Sequence, residues 1–141
     1  MTTNETLIKV ENLEKSFDKI EVLKGISTEI KKGEVVVIIG PSGSGKSTLV
    51  QMLNGILRPS SGTVIVDGED IWKKPRKIAS VRYKVGMVMQ YPEYQLFAET
   101  VREDIAYGPK NMGLSPEEIK DALLLSLEGK KLENVLIIPP D

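Results

Sequence analysis

Gly40-Pro-Ser-Gly-Ser-Gly-Lys-Ser47 matches the phosphate-binding pattern G-x-x-x-x-G-K-[ST] at every fixed position. On average residue usage the full pattern arises by chance in roughly one chain of this length in a few hundred. Val35-Val-Val-Ile-Ile39 precedes it, a β-branched apolar run that predicts a strand buried on both faces. Behind it, Leu49, Met52, Leu53, Ile56 and Leu57 recur at helical spacing. The glycines therefore join a strand to a helix N-terminus. Gly40, Gly43 and Gly45 let backbone N–H groups turn inward into an anion nest. The helix end adds about half an elementary positive charge. Lys46 can reach the β- and γ-phosphates of a nucleotide, Ser47 can offer its hydroxyl to Mg²⁺, and Thr48 supplies a further hydroxyl.

The rest of the composition excludes several function classes. The chain has 141 residues, the size of one modest domain, with 40% hydrophobic and 28% charged residues. A net charge of −1 gives no basic field for nucleic acid and no polybasic membrane anchor. There is no cysteine, hence no disulfide, thiol nucleophile or thiolate metal site, and no histidine. No apolar run reaches the ~18 residues of a bilayer span. Met1-Thr-Thr-Asn-Glu-Thr6 lacks the cationic and apolar regions of a signal peptide.

Local patterns place the other elements. Residues 7–11 alternate and predict an edge strand; Ile26, Thr28 and Ile30 alternate again, ahead of a turn at Lys31-Lys-Gly33. Together they suggest an antiparallel layer. Ser60-Ser-Gly62 predicts a turn, residues 63–66 a short strand, and Asp67-Gly68 a tight hairpin turn. Residues 73–82 are basic, a short solvated helix or loop around Pro75. Val85-Gly-Met-Val-Met89 predicts a second buried strand ending at Gln90. Thr100-Val-Arg-Glu103 and Ser115-Pro-Glu-Glu118 are capping boxes, each opening a helix. Pro116 suits the first position of the second helix, whose apolar stripe is Ile119, Leu123 and Leu127, with Gly129 as its breaker. Trp72 and Tyr83 read as packing residues.

A phosphate loop alone does not choose among kinases, GTPases and transport ATPases. The flanking residues do. Leu53-Asn-Gly-Ile-Leu-Arg-Pro-Ser-Ser-Gly62 followed by Asp67-Gly68, with Gln90 closing a strand, resembles the ATP-binding-cassette family. Met89-Gln-Tyr-Pro-Glu-Tyr-Gln-Leu-Phe97, Thr100-Val101 and Gly108-Pro-Lys-Asn-Met-Gly113 are similar to its energy-coupling-factor importers, which take up vitamins or ions such as cobalt and nickel. The resemblance runs from residue 7 to about 128. It implies an α/β phosphate-loop fold: an N-terminal antiparallel layer, an incomplete parallel sheet and the start of a helical subdomain. Residues 1–90 would form the nucleotide-binding core, 91–128 the glutamine loop and the start of the helical part, and 129–141 an atypical tail.

The resemblance also implies roles. ATP and Mg²⁺ are the cofactors. Residues Gly40, Pro41, Ser42, Gly43, Ser44, Gly45, Lys46, Ser47 and Thr48 would hold the nucleotide, and Phe17 would stack on adenine; the other reading of Phe17 is a cap on a small β-core. Gln90 would join Ser47 at Mg²⁺ and, with Lys46, serve catalysis; its other reading is a polar residue ending a strand. Tyr91–Phe97 would face a transmembrane coupling subunit; the other reading is an exposed aromatic loop. A second ATPase subunit and a peripheral place on the cytoplasmic face of the membrane complete the expectation.

Parts of that family's pattern are missing from these 141 residues. There is no L-S-G-G-Q segment, no apolar run ending in Asp-Glu and no histidine. Val64-Ile-Val-Asp67 runs into Gly68, and Val135-Leu-Ile-Ile-Pro-Pro-Asp141 carries two prolines. The chain thus resembles the first half of a transport ATPase, which predicts binding without useful hydrolysis. Two other classes stay open: a nucleoside monophosphate kinase of guanylate-kinase type, and a regulatory module that holds ATP without splitting it.

Overall fold

The computed structural model describes residues 5–127, as two units: one up to Met87, the other from Val88 onward. The first is built on a four-stranded antiparallel sheet in the order β2-β1-β3-β4. Its strands are β1 (Thr6–Phe17), β2 (Ile20–Lys31), β3 (Ser61–Val66) and β4 (Glu69–Asp70). β1 pairs with β2 on one side and β3 on the other, so the expected edge strand at 7–11 is instead central. Alternation reports which face of a strand is buried, and β1 buries one face whether or not it has two neighbours.

Alternation also breaks inside β1, for a local reason. Asn12 adopts φ +46°, and the register slips between Val10 and Leu13. The bulge resets the phase, so Val10 and Leu13 both point into the core, 1% and 0% exposed. The Asn12 amide, turned off the ladder, donates to Ser27 Oγ at 2.9 Å. Ser61 and Gly62, expected in a turn, already belong to β3. The β3–β4 connection is the two-residue turn foreseen at Asp67-Gly68. Both residues have positive φ (53° and 78°), as the hairpin twist requires.

Helix α1 (Lys46–Leu53) lays Leu49, Met52 and Leu53 on Val64 and Val66 of β3, together with Val10, Leu13 and Leu23. It stops sooner than the apolar spacing suggests. Gly55 takes φ +76°, and the Ile56 and Leu57 amides both donate to the Gln51 carbonyl. Leu57 still packs against the core, while Ile56 turns outward. The basic segment forms a 3-10 turn (Pro75–Ser80) and the short helix α2 (Val81–Lys84), pinned by Ile71 and Val81 in the core. Trp72 packs beside it, with the Arg58 guanidinium 5.6 Å from its ring centroid; Tyr83 is half exposed.

The strands predicted at 35–39 and 85–89 do not form. Val35 and Ile39 are 88% and 89% exposed. A strand is completed by neighbours that accept its ladder bonds, and neither segment has one among the described residues. Apolar β-branched composition marks where a strand would be buried; it does not supply the partner. Gln90 consequently lies in a bend rather than at a strand end.

In the second unit, helices α3 (Val101–Asn111) and α4 (Pro116–Leu127) pack together, burying Ala106 and Leu123. Both capping boxes are present. The Glu103 amide donates to Thr100 Oγ at 3.2 Å, and the Glu118 amide to Ser115 Oγ at 3.3 Å. Ile119 is half buried beside Leu123. The Leu127 side chain, Gly129 and the tail lie outside what is described. The Ser115 amide returns a bond to the Glu118 carboxylate at 2.8 Å, which holds that carboxyl below its ordinary value of 4.5. A depressed carboxylate stabilises the fold above its unfolded pKa, and this is lost as pH falls through the folded value. Helix content at residues 116–119, read from Cα chemical shifts, is therefore expected to decline as the pH drops below 4.5. Glu118→Gln should remove that titration.

Candidate functional site

The glycine loop spans Gly40 to Gly45 and delivers the chain into α1. Gly43 and Gly45 have φ of +79° and +97°, a region that costs an L-residue about 1–2 kcal/mol. Gly45 is also crowded: a Cβ there would sit 2.9 Å from Leu23 Cδ2 and 3.0 Å from Val22 Cγ1. At Gly40 a Cβ would meet Ser44 Oγ at 2.6 Å. Absence of side chains thus lets the loop close on itself and lets β2 buttress the start of the helix.

The loop is fastened at three points. The Ser44 amide donates to the Pro41 carbonyl at 3.1 Å, and the Leu49 amide to the Gly45 carbonyl at 2.9 Å, the first helical bond. The Lys46 ammonium folds back over the loop and donates to the Gly40 carbonyl at 2.6 Å and the Pro41 carbonyl at 3.0 Å. No side chain caps α1, and no acidic residue stands in its first turn. The helix dipole places partial positive charge at this end. Pro41, Ser42 and Ser47 are exposed; Thr48 is half buried.

This arrangement suits a polyphosphate. It offers the positive end of a helix, the Lys46 ammonium and no acidic residue in the helix's first turn. No cluster of three or more Asp, Glu, His or Cys gathers among the described residues. Phe17 ends β1 at the hairpin tip, paired with Ile20, half exposed, with Lys15 Nζ 5.1 Å from its ring centroid. That hairpin also carries Val22 and Leu23, whose side chains border Gly45. The part played by these two was not visible in sequence, since nothing local ties a strand to a loop some twenty residues on.

Gln90 belongs to the second unit and is exposed. After it come Tyr91 and a 3-10 turn (Pro92–Gln95), and Tyr91 meets Tyr94 of that turn edge to face at 5.8 Å. Phe97 packs edge to face on Tyr107 of α3 at 4.6 Å, and the Phe97 and Ala98 amides approach Asp104 Oδ1 at 3.4 Å. Tyr94 is 84% exposed, and Leu96 and Phe97 are largely so, leaving an aromatic surface braced by α3. Among the described residues no helix is long and apolar enough to cross a membrane.

Comparison with known proteins agrees with this geometry. The family model for "ABC transporter" matches residues 23–136. The "Energy-coupling factor transporter ATP-binding protein EcfA2" of Clostridium perfringens is 52% identical over 127 residues, which span 86% of this chain and 44% of that protein. EcfA of Methanothermobacter thermautotrophicus is 46% identical, spanning 86% of this chain and 40% of its own length. The solved structure of cbiO1 from Clostridium perfringens, described as part of the ABC transporter complex cbiONQ, is similar with a TM-score of 0.72 at 42% identity. That likeness covers 83% of this chain and 47% of the cbiO1 chain. The chain spans less than half the length of these relatives. With a family match over most of its residues and a phosphate loop of this form, the chain belongs to the ABC transporter family.

Proposed function

We propose that this chain binds Mg-ATP through Gly40–Thr48 and forms part of the ATP-binding subunit of an energy-coupling-factor importer. The observation that carries the reading is the open, uncapped start of α1 with the Lys46 ammonium poised over the loop's carbonyls. Lys46 would meet the β- and γ-phosphate oxygens of a triphosphate, and the amides of Gly43, Gly45, Lys46 and Ser47 would take the remaining charge. Mg²⁺, when bound, neutralises charge between the phosphates; Ser47 would supply its protein hydroxyl, with Gln90 completing the site. Phe17 would offer a face to the base.

The energy-coupling-factor ATPases among the relatives support an importer over the kinase reading. The solute would be a vitamin or a transition-metal ion such as cobalt. Tyr91–Phe97 would dock on the transmembrane coupling subunit, at the cytoplasmic face of the membrane, with a second ATPase subunit alongside. Hydrolysis would draw on a signature segment and an Asp-Glu pair that these 141 residues do not carry. The 141-residue chain is therefore expected to retain labelled ATP at equilibrium and to release no phosphate above background. It should also transfer none to GMP. Phosphate release lost on Lys46→Ala would contradict the first expectation; GMP phosphorylation would contradict the importer reading.

A further inference from the structure

Between β2 and the phosphate loop runs a stretch of backbone without partners. None of Val35, Val36, Val37, Ile38 and Ile39 takes part in a hydrogen bond among the described residues. Their exposure alternates as it does in extended chain. Val35, Val37 and Ile39 are 88%, 69% and 89% exposed, against 37% for Ile38, and Val36 is half buried. The run therefore presents three β-branched side chains to water on one face. It contains no charge and no proline, two of the devices that keep a free strand from pairing.

A lipid surface would cover these side chains but leave the N–H and C=O groups unmet, whereas a second backbone satisfies both. The run is its own complement, and the charges around it select a direction. Two copies laid side by side in the same direction set Lys31, Lys32 and Glu34 against their like, which is destabilising. Laid antiparallel about Val37, Glu34 meets Gly40 and Lys32 meets Ser42, so no like charges stand opposite. Val35 then faces the partner's Ile39, and Val37 faces its own counterpart, all β-branched pairs. The Glu34 carboxylate is already held back by the Lys31 amide at 2.8 Å. We propose that Val35–Ile39 is a homodimerisation edge: two copies of this chain pair antiparallel across a two-fold axis at Val37, each supplying the strand the other lacks. The contact is small, so the dissociation constant lies at roughly micromolar or weaker.

The chain has no cysteine, so a substituted one is its sole thiol. Directly opposed residues of an antiparallel pair have Cα atoms about 4.5–5.5 Å apart, within disulfide reach, while positions four residues out of register lie roughly 14 Å away. Under mild oxidation, Val37→Cys is expected to couple to itself at least tenfold faster than Val35→Cys or Ile39→Cys alone. An equimolar mixture of those two should recover most of that rate. In sedimentation velocity from about 1 μM to 1 mM, the unmodified chain should pass from monomer to dimer without nucleotide, and Lys46→Ala should do the same. Val37→Lys sets two ammonium groups face to face and should weaken the dimer tenfold or more. Ile20→Lys, the same change at a 71% exposed site on β2, should leave it within twofold. Equal coupling of the three single-cysteine chains, as parallel or unordered association predicts, would overturn the proposal. So would a chain that stays monomeric, whether or not its own residues 128–141 cover the run, a dimer that requires Mg-ATP, or equal losses in the two lysine variants.

Discussion

Lys46→Ala is expected to weaken Mg-ATP binding by roughly ten- to a hundredfold, the loss that follows from removing one charge-assisted contact to phosphate. Lys46 is bonded across the loop, with Nζ donating to the Gly40 and Pro41 carbonyls. Alanine deletes the ammonium that would meet the phosphates. It also unties the loop from its own helix, so the amides lose part of their preorganisation. The fold should survive, because Lys46 takes no part in the buried core. Affinity measured by titration calorimetry should therefore fall while the thermal transition stays in place. An unchanged affinity would remove Lys46 from the site.

Gly62→Ala should have the largest effect on stability. Gly62 lies in β3 at φ +84°, directly over the bulge in β1. An added Cβ would collide with the Asn12 carbonyl oxygen and come within 2.6 Å of the Glu11 carbonyl oxygen. These are backbone atoms in a paired strand and cannot rotate aside. Left-handed strain and overpacking together cost about 2–5 kcal/mol, a large fraction of the roughly 5–15 kcal/mol that holds a domain folded. Urea denaturation of the first unit should show it as a collapse of the midpoint. Gly68→Ala makes the comparison: its φ is +78°, but nothing lies within 4 Å of the added carbon. Its loss should be confined to the backbone strain, about 1–2 kcal/mol. Equal losses in the two variants would show that the contact with Asn12 carries no weight.

What the sequence revealed was local. The phosphate loop, the Asp67-Gly68 turn and the boxes at Thr100 and Ser115 each complete their hydrogen bonds within a few residues, so their patterns are their structures. Residues 35–39 and 85–89 failed because a strand is a relation between segments, and composition describes only one of them. The bulge at Asn12 hid the full length of β1, since it breaks the alternation that betrays a strand. The bracing of Gly45 by Val22 and Leu23 is formed by residues brought together only by the fold. Nothing in their order along the chain announces them.

Under the proposed function, backbone amides at the start of α1 grip the nucleotide's phosphates. Amide NMR during a Mg-ATP titration tests it most directly. The resonances of Gly43, Gly45, Lys46 and Ser47 should move along one saturable curve, and in Lys46→Ala those of Gly43, Gly45 and Ser47 should need roughly ten- to a hundredfold more Mg-ATP to move as far. Mg-ATP that binds while those four amides remain unmoved, or that does not bind the folded chain, would contradict it.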